Sequence, residues 1–116
     1  MDQGSKRKLY SLLGLAAKSG NIKSGSFQVE KAVQNGKASL VIVAEDASAN
    51  TKKLFSDKCS FYHIPVSEFG SKAELGKCLG KEERSAAAVL DRGLAEVFSE
   101  RLDGAIRRMH GEDQIV

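Results

Sequence analysis

Two short runs of consecutive apolar residues constrain the fold of this chain more than any other feature. The first is Leu40–Ala44, and the second lies within Ser85–Leu90. A half-exposed strand alternates apolar and polar residues, whereas a strand covered on both faces is apolar at every position. Because segments with helical spacing flank both runs, the chain is predicted to be an α/β protein with helices on both faces of a sheet.

The remaining sequence alternates between helical patterns and short extended segments. The predicted elements, in order, are a helix over 5–18, a short strand over 22–24, a helix over about 26–35, a strand over 40–44, a helix capped by Ser48, a strand over 61–66 that contains His63, a helix over 71–79, a strand over 85–90 and a last helix capped by Asp91. This order predicts a three-layer α/β/α sandwich in one domain over 1–106, followed by a frayed or disordered tail over 107–116.

Several side chains are assigned to the core by their helical spacing. They are Thr51, Leu54 and Phe55 in the third helix and Leu94, Val97, Phe98, Leu102 and Ile106 in the last helix. The two cysteines, Cys59 and Cys78, lack metal-ligand spacing, so they are predicted to be reduced core residues. The glycines at 76 and 80 fit no phosphate-loop pattern and are interpreted as caps and turns.

The charge and apolar content of the chain narrow its possible partners. Residues 1–44 hold seven Lys and Arg against two acids, and residues 45–116 hold eleven against thirteen, so the basic part is N-terminal. Such an asymmetry favours a polyanionic partner, although a solvated surface explains it as well. No apolar run approaches the roughly 20 residues of a membrane helix, and the N-terminal residues 5–10 lack the long apolar stretch of a signal peptide. A cytoplasmic location without membrane contact is expected.

The segment Gly25–Val33 is the strongest candidate for a binding site. If Val29, Ala32 and Val33 form the buried stripe of a helix, Phe27 and Lys31 lie on its opposite face near the N-terminus. An exposed aromatic ring beside a lysine at that end of a helix favours an anionic partner with stackable rings, as in RNA. The alternative is that Phe27 packs beneath the first helix or the 81–84 loop.

Three acids follow the two apolar runs and form the main candidate for catalysis. Glu45, Asp46 and Asp91 suit a metal or phosphoryl site if the ends of the two strands meet. Helix capping and dipole interactions explain the same residues and are favoured. No nucleophile and base share a catalytic spacing. From these residues we expect no catalytic residues, no metal site and no cofactor, and a small enzyme that uses the three acids stays an alternative.

From Lys6 to Val97 the chain resembles the kink-turn-binding ribosomal proteins of the L7Ae and L30e class. The resemblance rests on Gly25–Asp46, on Leu75-Gly76-Lys77 and on Ala86-Ala87-Ala88-Val89. The chain is especially similar to short bacterial members encoded beside transcription-termination and translation-initiation factors, which share a stretch like Asp46-Ala47-Ser48-Ala49-Asn50-Thr51. The resemblance implies a mixed four-stranded sheet, no enzymatic activity and an RNA surface made by the second helix and the loop before the last strand.

In that family the second helix starts Gly-x-Asn-Glu, and its polar side chains contact sheared G·A pairs. Here Gly25 and Lys31 match, while Phe27 and Gln28 occupy the asparagine and glutamate positions. The second loop also differs, because charged residues replace the family's apolar pair. Glutamine keeps both donors and an acceptor, and phenylalanine stacks on unpaired bases, so RNA binding survives these changes more easily than kink-turn specificity.

We therefore expect a non-catalytic, monomeric protein that binds ribosomal or another structured RNA. The expected RNA-binding residues are Lys23, Gly25, Ser26, Phe27, Gln28, Lys31, Lys81, Arg84 and Ser85. The alternative is a protein-interaction module that kept the fold but contacts ribosomal or transcription proteins.

Overall fold

A computed structural model describes residues 1–110 as five helices and four strands. The helices are α1 (Gln3–Lys18), α2 (Ser26–Gln34), α3 (Ala49–Tyr62), α4 (Lys72–Cys78) and α5 (Arg92–His110), and the strands are β1 (Ile22–Ser24), β2 (Leu40–Val43), β3 (Val66–Glu68) and β4 (Ala86–Val89). Every residue of β2 and β4 is buried. The two apolar runs are thus the central strands, as predicted.

The four strands form one mixed sheet in the order β1-β4-β2-β3. Strand β4 pairs antiparallel with both neighbours, with Ala88 opposite Lys23 on one side and Val41 on the other. Strands β2 and β3 are parallel, with Val41 opposite Val66. This arrangement confirms the predicted mixed four-stranded sheet and the α/β fold.

The helices pack in two groups, which gives the three layers. Helix α1 contacts α4 and α5, whereas α2 packs against α3. On the side of α1 the core contains Phe69 and Phe98, whose rings meet edge to face with centroids 5.5 Å apart. The fully buried alanines of β4 keep side-chain volume small at the centre of the sheet, so both helical layers approach it closely.

The predicted strand over 61–66 is wrong. Residues 61 and 62 complete α3, and His63 ends that helix in the left-handed region at φ 59°. The strand begins only after Pro65 and covers Val66–Glu68. The apolar residues of this segment suggested a strand. In the structure its first two residues form the last turn of α3 instead, and the Phe61 side chain on that turn is 76% exposed. His63 is therefore a helix C-cap and not a strand residue.

Two core assignments also need correction. Leu54 and Val97 are exposed, because each lies at the margin of its helix's buried stripe, and Ala95 and Ala105 are buried in α5 instead. Cys59 is buried and Cys78 is half-buried, and both are reduced. Helix α5 continues through residues 107–110, beyond its predicted end, while the rest of the predicted tail lies outside the described residues.

Candidate nucleic-acid interface

The N-terminus of α2 differs from those of the other helices. Gly25 enters the helix with φ 90°, a conformation that favours glycine, and its N–H donates to the Ala86 carbonyl at 3.1 Å. Within residues 1–110, no side chain caps this helix. The other four helices are capped by Asp2, Ser48, Ser71 and Asp91. The first-turn amides of α2 are thus left to donate to a ligand.

The side chains of α2 divide as predicted. Its buried residues are Val29, Ala32 and Val33. Phe27 is 74% exposed, and Gln28 and Lys31 are also exposed. The alternative placement of Phe27 beneath α1 or the 81–84 loop is therefore wrong. An aromatic side chain of this size in solvent provides a flat apolar surface beside the free amides.

The loop between α4 and β4 lies against the strand that leads into α2. Arg84 Nε donates to Ser24 Oγ at 3.2 Å, and the Arg84 N–H donates to the Lys72 carbonyl at 3.1 Å. The Ser85 carbonyl accepts from the Ala44 N–H at 2.8 Å. Because β1 leads into α2 and pairs with β4, the start of α2 and the loop before β4 meet on one surface, as predicted for the RNA-binding residues.

Gly76 holds this loop on α4. A Cβ atom at residue 76 would lie 1.9 Å from the Glu82 carbonyl oxygen, a distance no side chain tolerates. The Gly76 carbonyl also accepts from the Lys81 N–H at 2.8 Å. The interpretation of Gly76 as a cap or turn is thus wrong, since the residue lies inside α4 and is buried. Its function is to let the loop backbone approach the helix.

A cleft of about 170 Å³ adjoins the exposed face of α2. It is lined by Lys23, Gln28 and Lys31, all three of which were predicted, together with Ala32, Asn35, Lys37 and Leu90. Sequence reasoning missed Lys37, because no local pattern shows that the turn after α2 brings it into the cleft. None of the three lysines forms an ion pair with an acid in residues 1–110. The cleft is therefore a cationic surface.

The acidic site considered from the sequence does not form. Strands β2 and β4 are antiparallel, so their C-terminal ends point in opposite directions. Asp91, which follows β4, therefore lies at the opposite end of the strands from Glu45 and Asp46, which follow β2. Glu45 accepts from the Gly70 N–H at 3.1 Å, and Asp46 accepts from the Lys72 N–H at 2.8 Å. Asp91 accepts from the Leu94 N–H at 2.8 Å and caps α5. All three acids therefore bind backbone amides.

The Glu74 carboxylate of α4 accepts a hydrogen bond from α1. The Tyr10 hydroxyl donates to Glu74 Oε1 at 2.9 Å, and this bond is the main reason that the pKa of Glu74 is lowered. Burial and the same carboxylate raise the pKa of Tyr10. Because the folded pKa of Glu74 is depressed, the bond contributes stability above pH ~4.5, and this contribution is lost as the pH falls through the lowered value.

We expect Tyr10→Phe to raise the pKa of Glu74 towards its ordinary value, since the ring remains and only the donor is lost. The measurement is an NMR titration of the Glu74 carboxyl carbon between pH 2 and 7, a range of about five units around ordinary carboxyl values. Tyr62→Phe, which removes a hydroxyl far from Glu74, is the control. An unchanged Glu74 titration in Tyr10→Phe would contradict the assigned cause.

The geometry defines the class of protein: a small α/β/α sandwich whose distinctive feature is a cationic surface with an exposed aromatic ring. No helix within residues 1–110 has the length and apolar character needed to cross a membrane. Residues 7–99 match the model of the Ribosomal protein L7Ae/L30e/S12e/Gadd45 family. The chain belongs to this family, which confirms the resemblance noted from the sequence.

Individual relatives agree with this assignment. The chain is 43% identical to the RNA-binding protein YlxQ of Bacillus subtilis (strain 168), over 81% of this chain and 94% of that protein. A solved structure of a protein with unknown function from Bacillus halodurans C matches with a TM-score of 0.80 and 45% identity, over 83% and 97% of the two chains. The Giardia lamblia 15.5kD RNA binding protein matches with a TM-score of 0.74 and 26% identity, over 90% and 89%. The names of the family and of the YlxQ and Giardia relatives point to ribosomal-type and RNA-binding proteins and not to enzymes, in agreement with the predicted lack of catalysis.

Proposed function

We propose that this protein is a non-catalytic, cytoplasmic RNA-binding protein that binds a structured RNA with the surface formed by β1, the start of α2 and the 81–85 loop. One observation carries the proposal: exposed Phe27 lies beside uncapped helix amides and lysines without acid partners. Such a surface offers stacking, amide donors and positive charge together, which are the three contacts a kinked or unpaired RNA strand requires. The names of two relatives, each called an RNA-binding protein, support it.

Each predicted residue has a distinct role in this proposal. Phe27 stacks on a base, Gln28 hydrogen-bonds base edges, and the amides of Gly25 and Ser26 approach the backbone. Phosphates are neutralised by Lys23, Lys31, Lys81 and Arg84. Arg84 is fixed by its bond to Ser24, and the carbonyl of Ser85 anchors the end of the loop.

The finer proposal concerns kink-turn RNA. Gln28 occupies the exposed first turn of α2, where its amide presents both a donor and acceptor outward. We expect Gln28→Ala to reduce the discrimination between a kink-turn RNA and the same RNA with its tandem G·A pairs destroyed by about five- to tenfold, because a lost base contact is worth roughly 1 kcal/mol or more. Binding titrations over a salt series measure both affinities.

Lys31→Ala is the comparison variant for this experiment, because it removes a charge one helical turn from Gln28. It is expected to weaken binding to both RNAs equally and to flatten the salt dependence by about one phosphate contact. Equal effects of Gln28→Ala on both RNAs would contradict the base-reading role. Weak, equal and steeply salt-dependent binding of the unaltered protein to both RNAs would contradict kink-turn specificity.

A further inference from the structure

A trough lies between α1 and α4, outside the proposed site. One cleft of about 640 Å³ lies along α1 and reaches from Gln3 to Lys18. A second cleft of about 570 Å³ lies between α1, the end of α4 and β1. The two share Gly14, Lys18 and Cys78, so they form one continuous depression, which we name the α1/α4 trough.

The trough has positively charged walls. Arg7, Lys18, Lys77 and Lys81 line it, all are exposed, and none forms an ion pair with an acid in the described chain. Lys6 also lines it and lies 3.7 Å from Glu74, the one carboxylate among the lining residues. That carboxylate already accepts hydrogen bonds from Tyr10 and Ser71. The net charge of the trough is therefore strongly positive.

The trough is shallow because α1 and α4 approach each other closely at its floor. A Cβ atom at Gly14 would lie 3.2 Å from the Cys78 carbonyl oxygen, so α1 and α4 meet with little side chain between them. Cys78 is half-buried in this floor, and burial raises the pKa of its thiol to about 11. A neutral thiol leaves the charge of the walls uncompensated.

The trough opens directly into the proposed RNA surface. Ser24 and Lys81 line the second cleft, between α1, the end of α4 and β1. Ser24 is also the residue whose hydroxyl accepts a hydrogen bond from Arg84. A strand held at α2 and the 81–85 loop thus has a continuous cationic path along α1. The 16 residues of α1 span about 24 Å, which is long enough to lie beside several consecutive phosphates of one strand of a duplex.

We propose that the α1/α4 trough binds the phosphate backbone of a helical arm of the same RNA, adjoining the bases contacted at α2. This inference rests on the proposed function and extends it to the shape of the ligand: an RNA with a stem on the side of α1. The cationic side chains are spread along the trough, as a regularly charged backbone requires. Leu15 is the one large exposed apolar side chain among its lining residues, which argues against a protein partner.

The test compares one short RNA with two long RNAs and uses the double variant Arg7→Ala/Lys18→Ala. The short RNA contains only the kinked element, and the long RNA carries that element with one arm extended by about eight base pairs, tried on each arm in turn. The double variant is expected to lose about tenfold in affinity for one of the long RNAs near 0.1 M salt and less than about twofold for the short RNA. The unaltered protein should bind that long RNA more tightly than the short one.

Two further variants control for charge. Arg7→Lys/Lys18→Arg keeps both charges and should retain the affinity for the long RNA. Lys53→Ala/Arg92→Ala removes two charges from exposed positions away from the trough and should change neither affinity by more than about twofold. Equal losses of affinity of Arg7→Ala/Lys18→Ala for the short RNA and for both long RNAs would show a general charge effect and overturn the inference.

The experiment also separates the inference from the proposed function. If Lys31→Ala weakens binding to the short and the long RNAs while Arg7→Ala/Lys18→Ala binds the long RNAs like the unaltered protein, the trough proposal fails and the proposed function stands. If Lys31→Ala leaves binding to every RNA unchanged, the proposed site fails and the trough proposal fails with it.

Discussion

Gly76→Ala is expected to lower the free energy of unfolding by about 2–3 kcal/mol and to weaken RNA binding at the same time. The added Cβ atom would lie 1.9 Å from the Glu82 carbonyl oxygen, so either the 81–84 loop or α4 must move. Movement of the loop also breaks the bond between Arg84 and Ser24. Urea denaturation measures the first effect, and RNA titration of the folded protein measures the second.

Gly104→Ala is the matched control, because it makes the same change inside another helix. There the nearest atom to the new Cβ is Arg108 Nη1, at 3.5 Å on a flexible side chain. Alanine is the better helix former, so this variant should be as stable as the unaltered protein or more stable by up to about 1 kcal/mol. A Gly76→Ala variant that matched Gly104→Ala in stability and kept full RNA affinity would disprove the role of Gly76.

Phe27→Ala is expected to reduce RNA affinity by about ten- to a hundredfold, because base stacking on an aromatic ring is worth roughly 1–3 kcal/mol. The same change should alter the free energy of unfolding by less than about 0.5 kcal/mol, since the side chain is 74% exposed and belongs to no core cluster. Binding titration together with urea denaturation separates the two effects.

Phe61→Ala is the control for this variant. Phe61 is 76% exposed at the far end of α3 and touches Tyr62 at a ring-centroid distance of 4.9 Å. The Phe61→Ala variant removes the same ring from a surface that carries none of the proposed RNA contacts. Its affinity for RNA should therefore stay within about twofold of that of the unaltered protein. If both variants bind RNA like the unaltered protein, Phe27 does not stack on a base.

The fold was largely predictable because its signals are local or periodic. The apolar runs of β2 and β4 are buried on both faces, the caps at Ser48 and Asp91 lie at their predicted helices, and Ser71 caps the helix predicted over 71–79. The prediction failed at residues 61–66, where the pattern suits a strand and the last turn of a helix equally. In the folded chain α3 continues through Tyr62, and the left-handed conformation of His63 ends it there.

The candidate site was only half predictable. The exposure of Phe27 and Lys31 follows from helical spacing alone, because Val29, Ala32 and Val33 must face the sheet. Gly76 could not be understood in this way, since its neighbour in space is the carbonyl of a residue six positions further on, in a loop that folds back onto the helix. Lys37 was missed because its position in the cleft depends on how the chain turns after α2.

The sequence by itself determined the elements outside residues 61–68, the two central strands and the outward face of α2, because each depends on residues within a few positions of one another. Tertiary structure decided everything that depends on strand order. The antiparallel pairing of β4 with β2 placed Asp91 far from Glu45 and removed the acidic site, and its pairing with β1 brought Arg84 to Ser24 and created the cationic surface. Hydrogen bonding between strands is non-local, so the same local patterns are compatible with several sheets, and only the folded chain selects one.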